Sequence, residues 1–248
     1  MKSKKIILIS ALLVLGLALM ACSLPVIKVV RGSGVLATEN REVGLFNAVQ
    51  LDGAGKLLIT QGESTALTVE AEDNLISSLQ STVEGGTLKL GYQDNFWQKT
   101  LLPTETILYT LTVTDLNAIT FNGAGDLEVE RLHTDSLAIT INGAAQVSIE
   151  NLTADSLKVR INGTGTVTIG GEVTSQDLGI DGAGTVQNGN LKSAQTTVEA
   201  NGLGIATVWA TDTLNLTFNG SGTLNYYGEP AIIQNINGAA NINALGNK

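Results

Sequence analysis

Few side chains in this chain are of the kind that do covalent or metal chemistry. There is one histidine, His133, and one cysteine, Cys22, so neither a histidine-rich metal site nor a Ser–His–Asp triad has the parts it needs. His133 falls beside an expected corner, where a lone imidazole is a surface residue and not a ligand or base. Carboxylates are more numerous. Asp126, Glu128 and Glu130 alternate and therefore share one face of a strand, and Glu70, Glu72 and Asp73 form a second cluster. Such oxygens suit Ca²⁺. A solvated outer face accounts for them equally well, and no EF-hand loop or Gly-Gly-x-Gly-x-Asp run accompanies them. Cleaving a glycan needs two carboxylates at a defined separation, usually with a basic residue nearby. The only arginines are Arg31, Arg41, Arg131 and Arg160, and no repeat carries a paired Asp/Asp with a base. The residues thus call for no catalytic set, no metal and no cofactor. A polysaccharide-acting enzyme stands as the alternative to a non-catalytic module.

Binding chemistry is better represented. Residues 92–109 hold four of the ten aromatics, Tyr92, Phe96, Trp97 and Tyr109. If exposed, Tyr92, Phe96 and Trp97 can stack on a sugar ring or anchor a partner. If buried, the same segment is a loop that covers an open end or side of the fold. Trp209 and the adjacent Tyr226 and Tyr227 form a second set, which ordinary packing near the end of the fold explains. Neighbouring residues in a strand face opposite ways, so one of the two tyrosines is expected outward.

The start of the chain reads as a targeting segment. Lys2, Lys4 and Lys5 precede an apolar run from Ile6 to Met20, and Leu19-Met20-Ala21-Cys22 closes it. The run has the length of a signal-peptide core and is short of the ~20 residues a spanning helix wants. The closing residues resemble the bacterial lipoprotein cleavage box. That resemblance implies removal of residues 1–21, lipidation of Cys22 including a palmitate, and a tether over 22–30 holding the chain to a membrane. Ser23 after Cys22, in place of an Asp, favours the outer membrane or cell surface of the envelope. Without the leader, 11 basic and 23 acidic residues remain, a net charge of −12. Such a chain repels nucleic acid and offers no basic patch to it.

Repetition organises everything after residue 31. An Asn-Gly or Asp-Gly pair followed by small residues recurs at Asp52, Asn122, Asn142, Asn162, Asp181, Asn201, Asn219 and Asn237. From Asn122 the spacings are 20, 20, 19, 20, 18 and 18 residues. Arg31-Gly32-Ser33-Gly34 has the look of a degenerate first copy. The 70 residues between Asp52 and Asn122 have room for three to four looser units. Alternating apolar residues flank each turn, as in Leu137, Ile139 and Ile141 before it and Val147 and Ile149 after it. Polar corners such as Thr134-Asp135-Ser136 precede each first strand.

Two all-β architectures fit. In a right-handed parallel β-helix each unit of about 19 residues is one coil, the Asn/Asp positions stack into a structural ladder, and the adjoining glycines supply positive φ. Ten or eleven coils make a rod on the order of 50 Å. In an antiparallel meander or sandwich, Asn-Gly closes two-residue hairpins. The near-constant period and the repeated small residues after each turn favour the β-helix.

The segment from Gly32 through Glu39, Arg41, Val43 and Phe46 to Val49-Gln-Leu-Asp-Gly53-Ala-Gly55-Lys-Leu57-Leu-Ile59-Thr-Gln61-Gly62 resembles the opening of the bacterial putative auto-transporter adhesin head GIN domain. Leu67-Thr-Val69-Glu-Ala71-Glu-Asp73-Asn-Leu75, Gly86-Thr-Leu88-Lys-Leu90 and Leu111-Thr-Val113 extend the match. The resemblance covers roughly residues 31–240, within an expected single domain over 31–245. It implies a β-helical fold, a secreted or lipid-anchored protein and an adhesion-like role, and it carries no catalytic motif. The functions expected are adhesion, ligand binding or scaffolding toward a glycan or an envelope protein, or service as an envelope-stress sensor or assembly partner. The oligomeric state is not legible.

Overall fold

The computed structural model describes residues 28–92 and 99–248. Cys22, Phe96 and Trp97 lie outside the described residues. No α-helix occurs among the described residues; a single 3₁₀ turn spans Ile76–Ser78.

From Ala118 to Ala244 the strands stack in parallel, each residue beside its counterpart one repeat away. Ile119 pairs with Ile139, Val147 with Val167, and Leu178 with Val198. This is a parallel β-solenoid, not a hairpin meander. A two-residue hairpin of the Asn-Gly type needs positive φ at both central residues. No described non-glycine residue has positive φ. Within a coil the side-chain alternation turns Leu137, Ile139, Ile141, Val147, Ile149, Leu152 and Ala154 inward, all buried. Each of the larger ones contributes about 1.5–3 kcal/mol by leaving water. Pairing lapses at Glu150 and Asn151 and again at Asp155, where the strand bends, so each coil has three faces. Inward side chains form continuous columns. One runs Leu51, Phe121, Ile141, Ile161, Ile180, Ala200, Phe218, with the small Ala200 beside the large Phe218.

The interval from Asp52 to Asn122 does not contain the three or four further coils expected there. Ala48–Asp52 pairs directly with Ala118–Phe121, and Ala54–Gln61 with the start of Ala124–His133. The intervening chain leaves on the far side and returns as a cap. Thr87–Tyr92 and Leu108–Val113 add one more parallel layer, and antiparallel strands Leu36–Arg41, Ala66–Glu72 and Leu79–Glu84 close it. Antiparallel pairing spends the edge hydrogen bonds that a bare solenoid end would leave open. The solenoid therefore has about six turns in place of ten or eleven. Asp52 to Asn237 then spans about 34 Å at one strand spacing per layer.

Arg31-Gly32-Ser33-Gly34 is likewise not a coil turn. Lys28–Arg31 pairs with Lys99–Leu102, and the glycines let the loop wrap the Glu72 region. The Ser33 hydroxyl donates to Asp73, the Gly34 N–H to Glu72 Oε1 (2.8 Å), and the Asn74 amide to the Arg31 carbonyl (2.8 Å).

The corner residues form an amide ladder with a polarity. Asn122 Nδ2 donates to Asp52 Oδ1 (2.6 Å), Asn142 to Asn122 (2.8 Å), and Asn162 to Asn142 (2.7 Å). A second run starts at Asp181, which accepts from Asn201 (2.7 Å), followed by Asn219 onto Asn201 (2.7 Å) and Asn237 onto Asn219 (3.1 Å). A carboxylate cannot donate, so Asp181 ends one run and begins the next. The glycines beside the ladder serve close approach, not the positive φ expected of them; among them only Gly53 has positive φ (144°). A Cβ on Gly143 would lie 1.9 Å from the Gly123 carbonyl oxygen, and one on Gly163 2.0 Å from that of Gly143.

Candidate binding face

The second face of the solenoid, just after the ladder, presents two outward rows. The first is Ala54, Ala124, Ala144, Thr164, Ala183, Leu203, Ser221 and Ala239; its small members make a floor. The second holds Asp126, Gln146, Thr166, Thr185, Ile205, Thr223 and Asn241 in register. Inward between them stand the glycines and alanines of the motif. Their size is dictated by the corner: a Cβ on Gly125 would lie 2.7 Å from the Gly55 carbonyl oxygen, and one on Gly222 2.2 Å from that of Gly204.

The result is a long shallow groove. Two adjoining hollows of about 770 and 540 Å³ share Ala183 and Thr185 and run along the solenoid axis. Pro103–Ile107 overhangs one end, so Glu105 and Asp126 flank the groove there. Toward the other end two large apolar side chains stand out, Leu203 (64 % exposed) and Ile205 (51 %). No arginine or lysine lines either hollow. A floor of methyl groups edged by hydroxyls and amides at strand spacing can hold an extended polar chain. It offers no activated nucleophile.

The carboxylate clusters separate in the structure. Glu128 pairs with Lys56 (2.8 Å), and Asp126, Glu128 and Glu130 point outward along one strand. Glu72 is buried and accepts hydrogen bonds from the Gly34 and Thr104 N–H groups (2.8 and 2.9 Å) and from the Thr104 hydroxyl. The hydroxyl contact holds its pKa below the usual carboxylate range, against the desolvation that would raise it. Among the described residues no group of carboxylates, His or Cys could hold a metal ion.

Of the first aromatic set, Tyr92 is half-buried, packed on the core and standing on Gly53, where a Cβ would lie 3.0 Å from its ring. Burial pushes its hydroxyl pKa up. Tyr109 is wholly buried, and desolvation pushes its phenol far up as well. The groove itself was missed from sequence, because alanine and glycine carry no chemical signal until their stacking places them side by side. Missed also were four buried polar residues in the middle coils, Gln176, Asn188, Ser193 and Thr196. Gln176 and Thr196 break the aliphatic alternation, which is the signal that could have revealed them.

Comparison with known proteins agrees with the architecture. Residues 45–230 match the family model described as putative auto-transporter adhesin, head GIN domain. A crystal structure of a putative adhesin from Bacteroides fragilis is 29 % identical with TM-score 0.82, over 87 % of this chain and 100 % of that one. A putative lipid binding protein from Parabacteroides distasonis is 21 % identical with TM-score 0.69, over 88 % of this chain and 100 % of that one. A putative adhesin from Parabacteroides merdae is 21 % identical with TM-score 0.64, over 88 % and 99 % respectively. The last two share the fold. No curated protein matches the chain.

Proposed function

The chain belongs to the putative auto-transporter adhesin head GIN domain family, and from that premise we propose that it is a non-catalytic adhesin-like module of the cell envelope. It is held to a membrane by lipid on Cys22 and presents its second face to a glycan. The observation that carries this reading is the groove from Ala54 to Asn241, a methyl floor edged by Gln146, Thr166, Thr185 and Thr223. Sugars offer both partners it needs, C–H faces for the floor and hydroxyls for the edge. Many weak contacts repeated along an axis suit a long polymer better than a small substrate. Named neighbours described as adhesins support the same class of role.

The test is binding of residues 23–248 to immobilised envelope and host polysaccharides, compared with Thr166→Trp and Thr185→Trp. Both side chains stand at the groove edge, so an indole there fills the groove without entering the core. The expected result is a polysaccharide bound by the parent chain and lost at least about tenfold in both variants at unchanged melting temperature. Binding that survives both variants, or release of shortened sugar products, would overturn the proposal.

A further inference from the structure

A second site lies farther along the same face and does not depend on the groove. Its foundation is the buried polar group. Gln176 stacks beside Leu157 and Thr196 beside Leu214, so polar side chains occupy columns that are otherwise aliphatic. Burying them is costly unless all are satisfied, and here they form a closed network. Asn188 Oδ1 accepts from the Ile169 N–H (3.2 Å) and its Nδ2 donates to Gln176 Oε1 (3.2 Å). The Gln176 amide donates to the Ser193 and Thr196 hydroxyls (2.9 and 3.2 Å), and Ser193 donates to the Trp209 carbonyl (2.9 Å). The network pins Asn188 and Ser193, which flank the register break between Asn188 and Lys192. Within that break Leu191 is buried, Gly189 half-buried and Asn190 exposed.

The outward bulge meets two aromatic rings and an ammonium. Lys248 Nζ lies 4.8 Å from the ring centroid of Tyr227 and 5.7 Å from that of Trp209. It donates to the Gly189 carbonyl (2.7 Å) and to Asn190 Oδ1. A Cβ on Gly189 would lie 3.2 Å from the Tyr227 ring, so the bulge and ring are matched in shape. Thr168, Gln187 and Thr207 complete a hollow of about 310 Å³. Among the described residues no carboxylate pairs with Lys248, although the chain carries 23 acids. Ring faces attract cations, and two oxygens that only accept select an N–H donor.

We propose that this cage is a binding site for a primary alkylammonium group, which Lys248 occupies in cis as a displaceable latch. A tethered ammonium competes with any free one through its high local concentration. Removing it should therefore open the site.

The experiment uses the chain with Trp97→Phe, so that Trp209 is the sole reporter of fluorescence. Lys248→Ala in that background is titrated with n-butylammonium, cadaverine and tetramethylammonium at constant ionic strength, and with vesicles containing or lacking phosphatidylethanolamine. The expected result is a saturable change in Trp209 emission at an affinity at least about tenfold above that of the Lys248 chain. Tetramethylammonium, which has no N–H, binds more weakly. Adding Tyr227→Leu removes the response, and Asn190→Asp strengthens it. A response to soluble amines assigns a free amine as ligand; one confined to phosphatidylethanolamine vesicles assigns a lipid headgroup. No saturable response to any probe, or an equal response with Tyr227→Leu, overturns the proposal and leaves Lys248 as a packing contact.

Discussion

At the scale of single residues, stacking makes small differences absolute. Each ladder glycine from Gly123 onward faces the carbonyl oxygen of the ladder glycine in the preceding layer, and backbone cannot rotate away as a side chain would. Gly163→Ala places a methyl 2.0 Å from the Gly143 oxygen. It is expected to cost about 1–3 kcal/mol, as overpacking does. Gly44→Ala, with nothing within 4 Å of the new Cβ, is the control and should be near neutral. Chemical denaturation of both variants checks this, and equal midpoints would show that the coils part easily. The ladder makes an opposite prediction. Asp181 accepts from Asn201 but cannot donate toward Asn162. Asp181→Asn supplies the missing donor and joins the two runs, stabilising by about 0.5 kcal/mol, the low end for an exposed hydrogen bond. A melting temperature that falls in Asp181→Asn would rule out the ladder polarity described above.

Among the elements, the cap is the part most sensitive to pH. Glu72 ties the Gly32–Gly34 loop to Thr104, and these bonds favour its ionised form, so its folded pKa is depressed. A carboxylate with a depressed folded pKa stabilises above the ordinary carboxylate range, and that stability is lost as pH falls through the folded value. Between about pH 5 and pH 3 the parent chain should therefore lose stability faster than Glu72→Gln, which cannot titrate. Thermal melts across that range decide it; parallel curves for the two chains would mean that Glu72 is not the group responsible. Gly32 belongs to the same clamp, since a Cβ there would lie 1.9 Å from Glu72 Oε2.

For the whole molecule, contacts run mainly between neighbouring coils and the two ends differ. The antiparallel strands cover one end, whereas every residue of Ala231–Ile236 at the other is exposed. In such a one-dimensional array stability is set by nearest-neighbour contacts. Hydrogen exchange should be slowest in residues 137–180 and fastest over 231–244. Uniform protection along the solenoid would show a single cooperative unit instead. The anchor proposal is also a whole-molecule matter. Cys22→Ala should move the protein out of the membrane fraction, and protease added to intact cells should cleave the parent chain if it faces outward. A variant that stays with the membrane would remove the lipid from the account.

The sequence by itself determined the repeat, its inward-facing aliphatics and the solenoid, because a fixed period and alternation are local properties that stacking simply copies. It also showed a single histidine and a single cysteine, which composition alone decides. Only the tertiary structure decided what happens between Asp52 and Asn122. There the chain reverses direction, and whether a strand joins its neighbour in parallel or antiparallel depends on distant partners that no local pattern encodes. The reason for the ladder glycines is of the same kind: close approach to another coil's carbonyl, where sequence reasoning expected a left-handed turn. The groove and the ammonium cage are built from Ala54 with Ala124 and Ala144, or from Gly189 with Tyr227 and Lys248. Residues this far apart acquire a shared chemistry only when folding sets their separation, and that separation is fixed by the stacking of coils.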